Sequence, residues 1–132
     1  MTFAGNVNVR TIKVADTFNQ SITAGDYIFK DANGDPVWFD ISNPAHMGQR
    51  LTEIGFLTLQ VSFTSGGVLS MAVKDPVTGV IYNTTFMMGD LLRASALYIF
   101  TVAITEGKQV NFSYSLDSTV QYAVLTSHGG VY

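Results

Sequence analysis

From residue 54 onward the chain alternates apolar and polar positions with a period of two. Leu57, Leu59, Val61 and Phe63 share one parity, and Thr58, Gln60 and Ser62 share the other, the pattern of a strand with one buried face and one wet face. Ser65-Gly66-Gly67 predicts a turn into a second strand, Leu69, Met71 and Val73 against Ser70, Ala72 and Lys74. Asp75-Pro76-Val77-Thr78-Gly79 predicts the next turn, into Val80, Tyr82, Thr84 and Phe86, and the three strands read as a meander. Residues 97–104 are apolar at both parities. Glu106-Gly107 then predicts a hairpin into Val110, Phe112 and Tyr114, which alternate with Gln109, Asn111, Ser113 and Ser115. A final strand sets Val120, Tyr122 and Val124 against Thr119, Gln121 and Ala123, and Ser127-His128-Gly129-Gly130 reads as a flexible tail.

The first third is less regular. Residues 7–14 read as a strand, and Tyr27-Ile28-Phe29-Lys30 and Val37-Trp38-Phe39 flank Asn33-Gly34 as a hairpin, with Pro36 at an edge or strand start. Long connections are expected at 15–26, 41–53 and 88–96. About eight short antiparallel strands in one 132-residue domain predict an all-β, two-sheet jelly roll or Greek-key sandwich. Within residues 1–14, Val7 and Val9 share one parity, and Ile12 and Val14 share the other. A segment without one buried face suits an N-terminal strand that docks on a partner rather than on its own core.

Composition narrows the function more than the fold. Net charge is −3, and the seven Lys and Arg form no basic cluster, so a groove tracking nucleic-acid phosphates is not expected. The absence of Cys removes disulfides and thiolate metal sites. No apolar run reaches the length of a membrane span, so no membrane insertion is expected, and the first residues carry neither a basic nor an apolar leader region. Charged residues make up only 13% of the chain while 47% are hydrophobic, against roughly 25% charged in ordinary soluble domains. The polar strand positions are Thr, Gln, Ser and Asn rather than Lys and Glu, so the charge that normally deters association is missing.

Candidate chemistry is sparse. Asp31, Asn33 and Asp35 place oxygen side chains at alternate positions, as a calcium loop does, but Pro36 and Ser42 fall where that loop needs Gly and the bidentate Glu. The segment therefore reads as a turn, with a metal site as its weak alternative. His46 and His128 lie far apart with no neighbouring nucleophile motif, so no enzyme and no cofactor is expected. Tyr27, Phe29, Trp38 and Phe39 offer an aromatic platform for a sugar, or core packing. Three Asn-x-Ser/Thr triplets, at Asn19, Asn83 and Asn111, would accept glycans only in an extracellular setting.

The run from Leu57 to Val124, with Thr64-Ser65-Gly66-Gly67, Glu106-Gly107-Lys108 and Asn111-Phe112-Ser113-Tyr114-Ser115 as strand and turn units, resembles the small jelly-roll structural proteins of virions, phage capsid decoration proteins among them. The resemblance implies a virion protein that self-associates, as a trimer, and binds a major capsid protein lattice. Secreted pilus subunits that exchange a strand are similar too and imply an extracellular filament; a carbohydrate-binding module is the third reading. The contact residues expected from the loops are Met47, Arg50, Met87, Met88, Leu91, Leu92 and Arg93, since Met and Arg are enriched at interfaces.

Overall fold

The computed structural model describes residues 8–40, 55–85, 92–104 and 108–131. Nine strands occur among them: β1 (Asn8–Thr17), β2 (Gln20–Ile22), β3 (Phe39–Asp40), β4 (Gly55–Phe63), β5 (Leu69–Lys74), β6 (Ile81–Thr85), β7 (Tyr98–Ile104), β8 (Gln109–Tyr114) and β9 (Ser118–Val131). One sheet runs β1-β9-β4-β7, with β2 continuing the β1 edge along β9, and the other runs β3-β8-β5-β6. All pairings are antiparallel. The expected two-sheet jelly-roll sandwich is the observed fold.

Its core is the inward parity of both sheets. Leu57, Leu59, Val61 and Phe63 of β4 meet Val110, Phe112 and Tyr114 of β8 and Leu69 and Met71 of β5, all buried. Each fully buried aliphatic or aromatic side chain contributes ~1.5–3 kcal/mol, so the alternation seen in the sequence supplies most of the drive to fold.

The connectivity departs from the sequence reading in two places. The expected meander is broken: β4 lies in one sheet and β5 in the other, and only β5–β6 is a hairpin. The expected hairpin of residues 97–104 with 109–114 is likewise split between sheets, as β7 and β8. The chain passes from β4 to β5 at residues 64–68 and from β8 back to β9 at residues 115–117, in each case spanning the roughly 10 Å between packed sheets. These two links are laced to each other by hydroxyls. Val68 N–H donates to Ser115 Oγ at 2.8 Å, Ser65 N–H to Ser118 Oγ at 3.1 Å, and Thr119 N–H to Thr64 Oγ1 at 2.9 Å. Backbone groups that a sheet ladder would satisfy are satisfied there by Ser and Thr side chains instead.

The ends of the chain also differ from expectation. Residues 127–130, read as a tail, are the last part of β9 and pair with Ile12, Thr11, Arg10 and Val9 of β1. Residues 8–14, expected to dock on a neighbouring chain, are thus paired within their own. The register slips between Lys13 and Ala15, so Val14 is the extra residue of a β-bulge, and Val14 and its neighbour Ala15 both pack against the core. Residues 15–26, read as a connection, contain the end of β1 and all of β2.

The 27–39 hairpin is present in abbreviated form. Lys30 bridges Pro36, Val37 N–H donates to Phe29 O at 3.1 Å, and Gly34 takes φ +83° in the turn, a conformation that glycine adopts without penalty.

Candidate functional site

The outward parity of the β1-β9-β4-β7 sheet forms a face of unusual chemistry. Register sets its rows: Thr126, Thr58 and Thr101 lie side by side across β9, β4 and β7, with Val124, Gln60 and Ile99 as the next row. Tyr122 lies beside Ser62 at one end, where the exposed Phe18 ring meets it edge-on at 5.4 Å. The hydroxyls are linked across strands. His128 Nε2 lies 3.0 Å from Thr58 Oγ1, which lies 3.3 Å from Thr101 Oγ1, and Tyr122 OH donates to Gln60 Oε1 at 3.3 Å. None of β4, β7 and β9 contains a Lys, Arg, Asp or Glu. Nearest in register are Lys13 and Asp16 of β1, which neutralise each other at 2.7 Å.

Apolar exposure is concentrated at the β7 end of this face, where Leu97 and Ile99 are 58% and 60% exposed. The segment with two apolar parities is therefore an edge strand: Tyr98, Phe100 and Val102 pack on the core, and Leu97, Ile99 and Thr101 are exposed.

The charges lie elsewhere. Lys30 pairs with Asp26, and Lys108 with Asp75 at 3.0 Å. The Lys108 ammonium and the Val77 N–H hold the Asp75 carboxyl below its ordinary range. Lys74 Nζ sits 5.3 Å over the Trp38 ring, and Tyr27 meets Trp38 edge-on. Phe29 and Phe39 are buried in the core, and Tyr27 and Trp38 are half-buried, with Lys74 over one indole face.

Of the expected contact residues, Met47, Arg50, Met87, Met88 and Leu91 lie outside the described residues. Leu92 requires a correction: it is 2% exposed and belongs to the core, pinned by its N–H donating to Gly67 O at 2.7 Å. Apolar side chains in a connection can plug the open end of a sandwich, and this one does. Arg93 is exposed, and its backbone N–H donates to Tyr98 OH at 2.8 Å. At the weak metal candidate, Asp31 Oδ1 accepts the N–H of Asn33 at 2.9 Å and of Asp35 at 3.0 Å. That carboxylate oxygen is engaged in a turn of the Asx kind.

The sequence had marked Thr58, Gln60 and Ser62 as a polar face, and it missed Thr126 and His128 as their neighbours. Their parity with Tyr122 and Val124 was the available signal, hidden because Gly129-Gly130 suggested a tail. Among the described residues no pocket forms, no group of three or more His, Asp or Glu converges, and no helix is long and apolar enough to cross a membrane.

No family model matches the chain, and no curated protein sequence does. Among solved structures it is similar to the globular domain of zebrafish complement 1qA protein, at 14% identity and a TM-score of 0.42, with 90% of this chain and 94% of that chain covered.

Proposed function

We propose that this chain is a structural subunit without catalytic activity, which acts by associating with copies of itself through the outer face of the β1-β9-β4-β7 sheet. The observation that carries the reading is the absence of any charged residue from β4, β7 and β9, in a face that also exposes Leu97, Ile99 and Phe18. Soluble faces are normally kept apart by charge, and removing an uncharged face from water carries little desolvation cost compared with burying ions. Such a face suits the middle of an interface, where charged residues are depleted.

The setting proposed is the shell of a viral particle, with a closed trimer bound to a lattice of major capsid protein; the resemblance of the strand and turn units to virion jelly rolls supports it. Sedimentation at micromolar concentration tests the association. A closed oligomer is expected from the wild-type chain, and Gln60→Lys, which sets a charge in the centre of the face, is expected to dissociate it while leaving the thermal midpoint nearly unchanged. A single species of 14.3 kDa from the wild-type chain would overturn the reading.

A further inference from the structure

Among the described residues five strands lie at the edges of the two sheets, β1, β2 and β7 in one and β3 and β6 in the other. Edges are usually guarded against pairing by charge, brevity or a bulge. β1 carries Arg10, Lys13 and Asp16 and the bulge at Val14. β2 and β3 are three and two residues long, β3 with Asp40, and β6 runs five residues without a charge or a register slip. β7 is the longest of the uncharged edges. It runs seven residues, Tyr98 to Ile104, pairs with β4 without a register slip, and contains no charge and no proline. Among the described residues no strand lies along its other edge.

We propose that the free edge of β7 pairs antiparallel with β7 of a second copy about a two-fold axis, joining two sheets into one. The inference deepens the self-association reading above and rests on it. A second copy is the occupant that this edge fits because its sequence is complementary to itself. The register that uses all seven residues places Thr101 opposite Thr101, Phe100 opposite Val102, Ile99 opposite Ala103 and Tyr98 opposite Ile104. Every cross-strand pair then joins an apolar residue to an apolar one, or a threonine to a threonine. Such pairs are favourable by ~0.2–1 kcal/mol each, and no like charges meet across the axis.

The match of its seven residues to themselves favours β7 with β7 over β7 with another strand. A pairing of identical edges closes at two copies, whereas unlike edges would propagate a filament. The contact is small. Seven residues span ~23 Å, and a strip of that length falls short of the roughly 800 Å² per partner of a stable interface. Edge pairing is therefore a second contact, which joins a copy in one trimer gathered by the sheet face to a copy in the next.

Cysteine cross-linking tests it, because the natural chain has no cysteine. Thr101→Cys places two thiols opposite each other across the two-fold axis, within the Cα separation a disulfide needs. Ile99→Cys places its thiols on opposite sides of the axis, four residues out of register and beyond the ~7 Å limit. Under oxidised glutathione the Thr101→Cys protein is expected to form disulfide dimers at least ~10-fold faster than the Ile99→Cys protein. Thr101→Ser and circular dichroism control for the fold. Similar rates at the two positions would overturn the edge pairing, since a face-to-face contact brings both outward positions near a neighbour. An oligomer by sedimentation with no cross-link at Thr101 overturns the edge pairing and leaves the association reading standing. A wild-type monomer overturns both.

Discussion

Asn111 ties the two arms of the 27–39 hairpin to the sheet: its Nδ2 donates to Phe29 O at 3.0 Å and to Val37 O at 2.8 Å, while its Oδ1 accepts the Phe112 N–H at 2.7 Å. The side chain is fully buried. In sequence, Asn111-Phe112-Ser113 is one of three glycan acceptor triplets; in the folded chain its amide has no access to a transferase, whereas Asn19 and Asn83 are exposed.

Replacing Asn111 leaves Val37 O without the amide donor, at a cost of ~1–3 kcal/mol, while Phe29 O keeps the Val37 N–H. Asn111→Ala is therefore expected to lower the unfolding free energy by about 1–3 kcal/mol. Urea denaturation should show a reduced midpoint with an unchanged slope. A loss under ~0.5 kcal/mol, typical of a surface site, would mean that the amide does not hold the hairpin.

The fold was legible in the sequence wherever one parity meets one environment throughout a strand. Leu57 to Phe63 is such a strand, and Asp75 to Gly79 is a turn whose Asp75 Oδ1 accepts the Val77 N–H at 2.9 Å and whose Gly79 takes φ +76°. Sheet membership was not legible, because the alternation of Leu69, Met71 and Val73 reads the same in either sheet. Nor were the bulges. Ser62 pairs with Tyr122 and Phe63 with Val120, so Gln121 is an extra residue, and Val120 faces the core while Tyr122, two residues on, faces out. Simple alternation puts both on one face. The loop-borne contact residues were chosen by residue type, and Leu92 shows the limit of that choice: an apolar residue in a connection serves a core as readily as a partner.

Asp31 supports the hairpin tip through two backbone N–H groups. Asp31→Ala is expected to cost about 0.5–1.5 kcal/mol, the usual value of exposed turn hydrogen bonds. Calcium is expected to leave the thermal midpoint unchanged in both proteins, since a ligand stabilises only by binding the folded state. Scanning calorimetry with and without millimolar calcium decides between a turn and an ion site; a midpoint that rises with calcium in the wild-type protein and not in Asp31→Ala would establish the ion site.

Tyr114 makes the fold sensitive to alkaline pH. Its ring stacks on Phe63 with centroids 3.6 Å apart, its OH donates to Ser65 O at 2.7 Å, and it is 1% exposed. Gly67 lies against it so closely that a Cβ there would stand 2.8 Å from the ring. Burial, with a smaller contribution from Tyr98, pushes the phenol up from 10.0 to about 12. Below the unfolded value both states keep the proton, and the contribution to stability is fully present. Between about 10 and 12 the unfolded chain releases its proton while the folded chain retains it, so stability falls as pH rises, and it is lost through the folded value. Thermal unfolding across this range should show a declining midpoint in the wild-type protein. Tyr114→Phe should be less stable at neutral pH, with Ser65 O lacking its donor, and should show a shallower decline. Parallel curves for the two proteins would assign the alkaline loss to other groups.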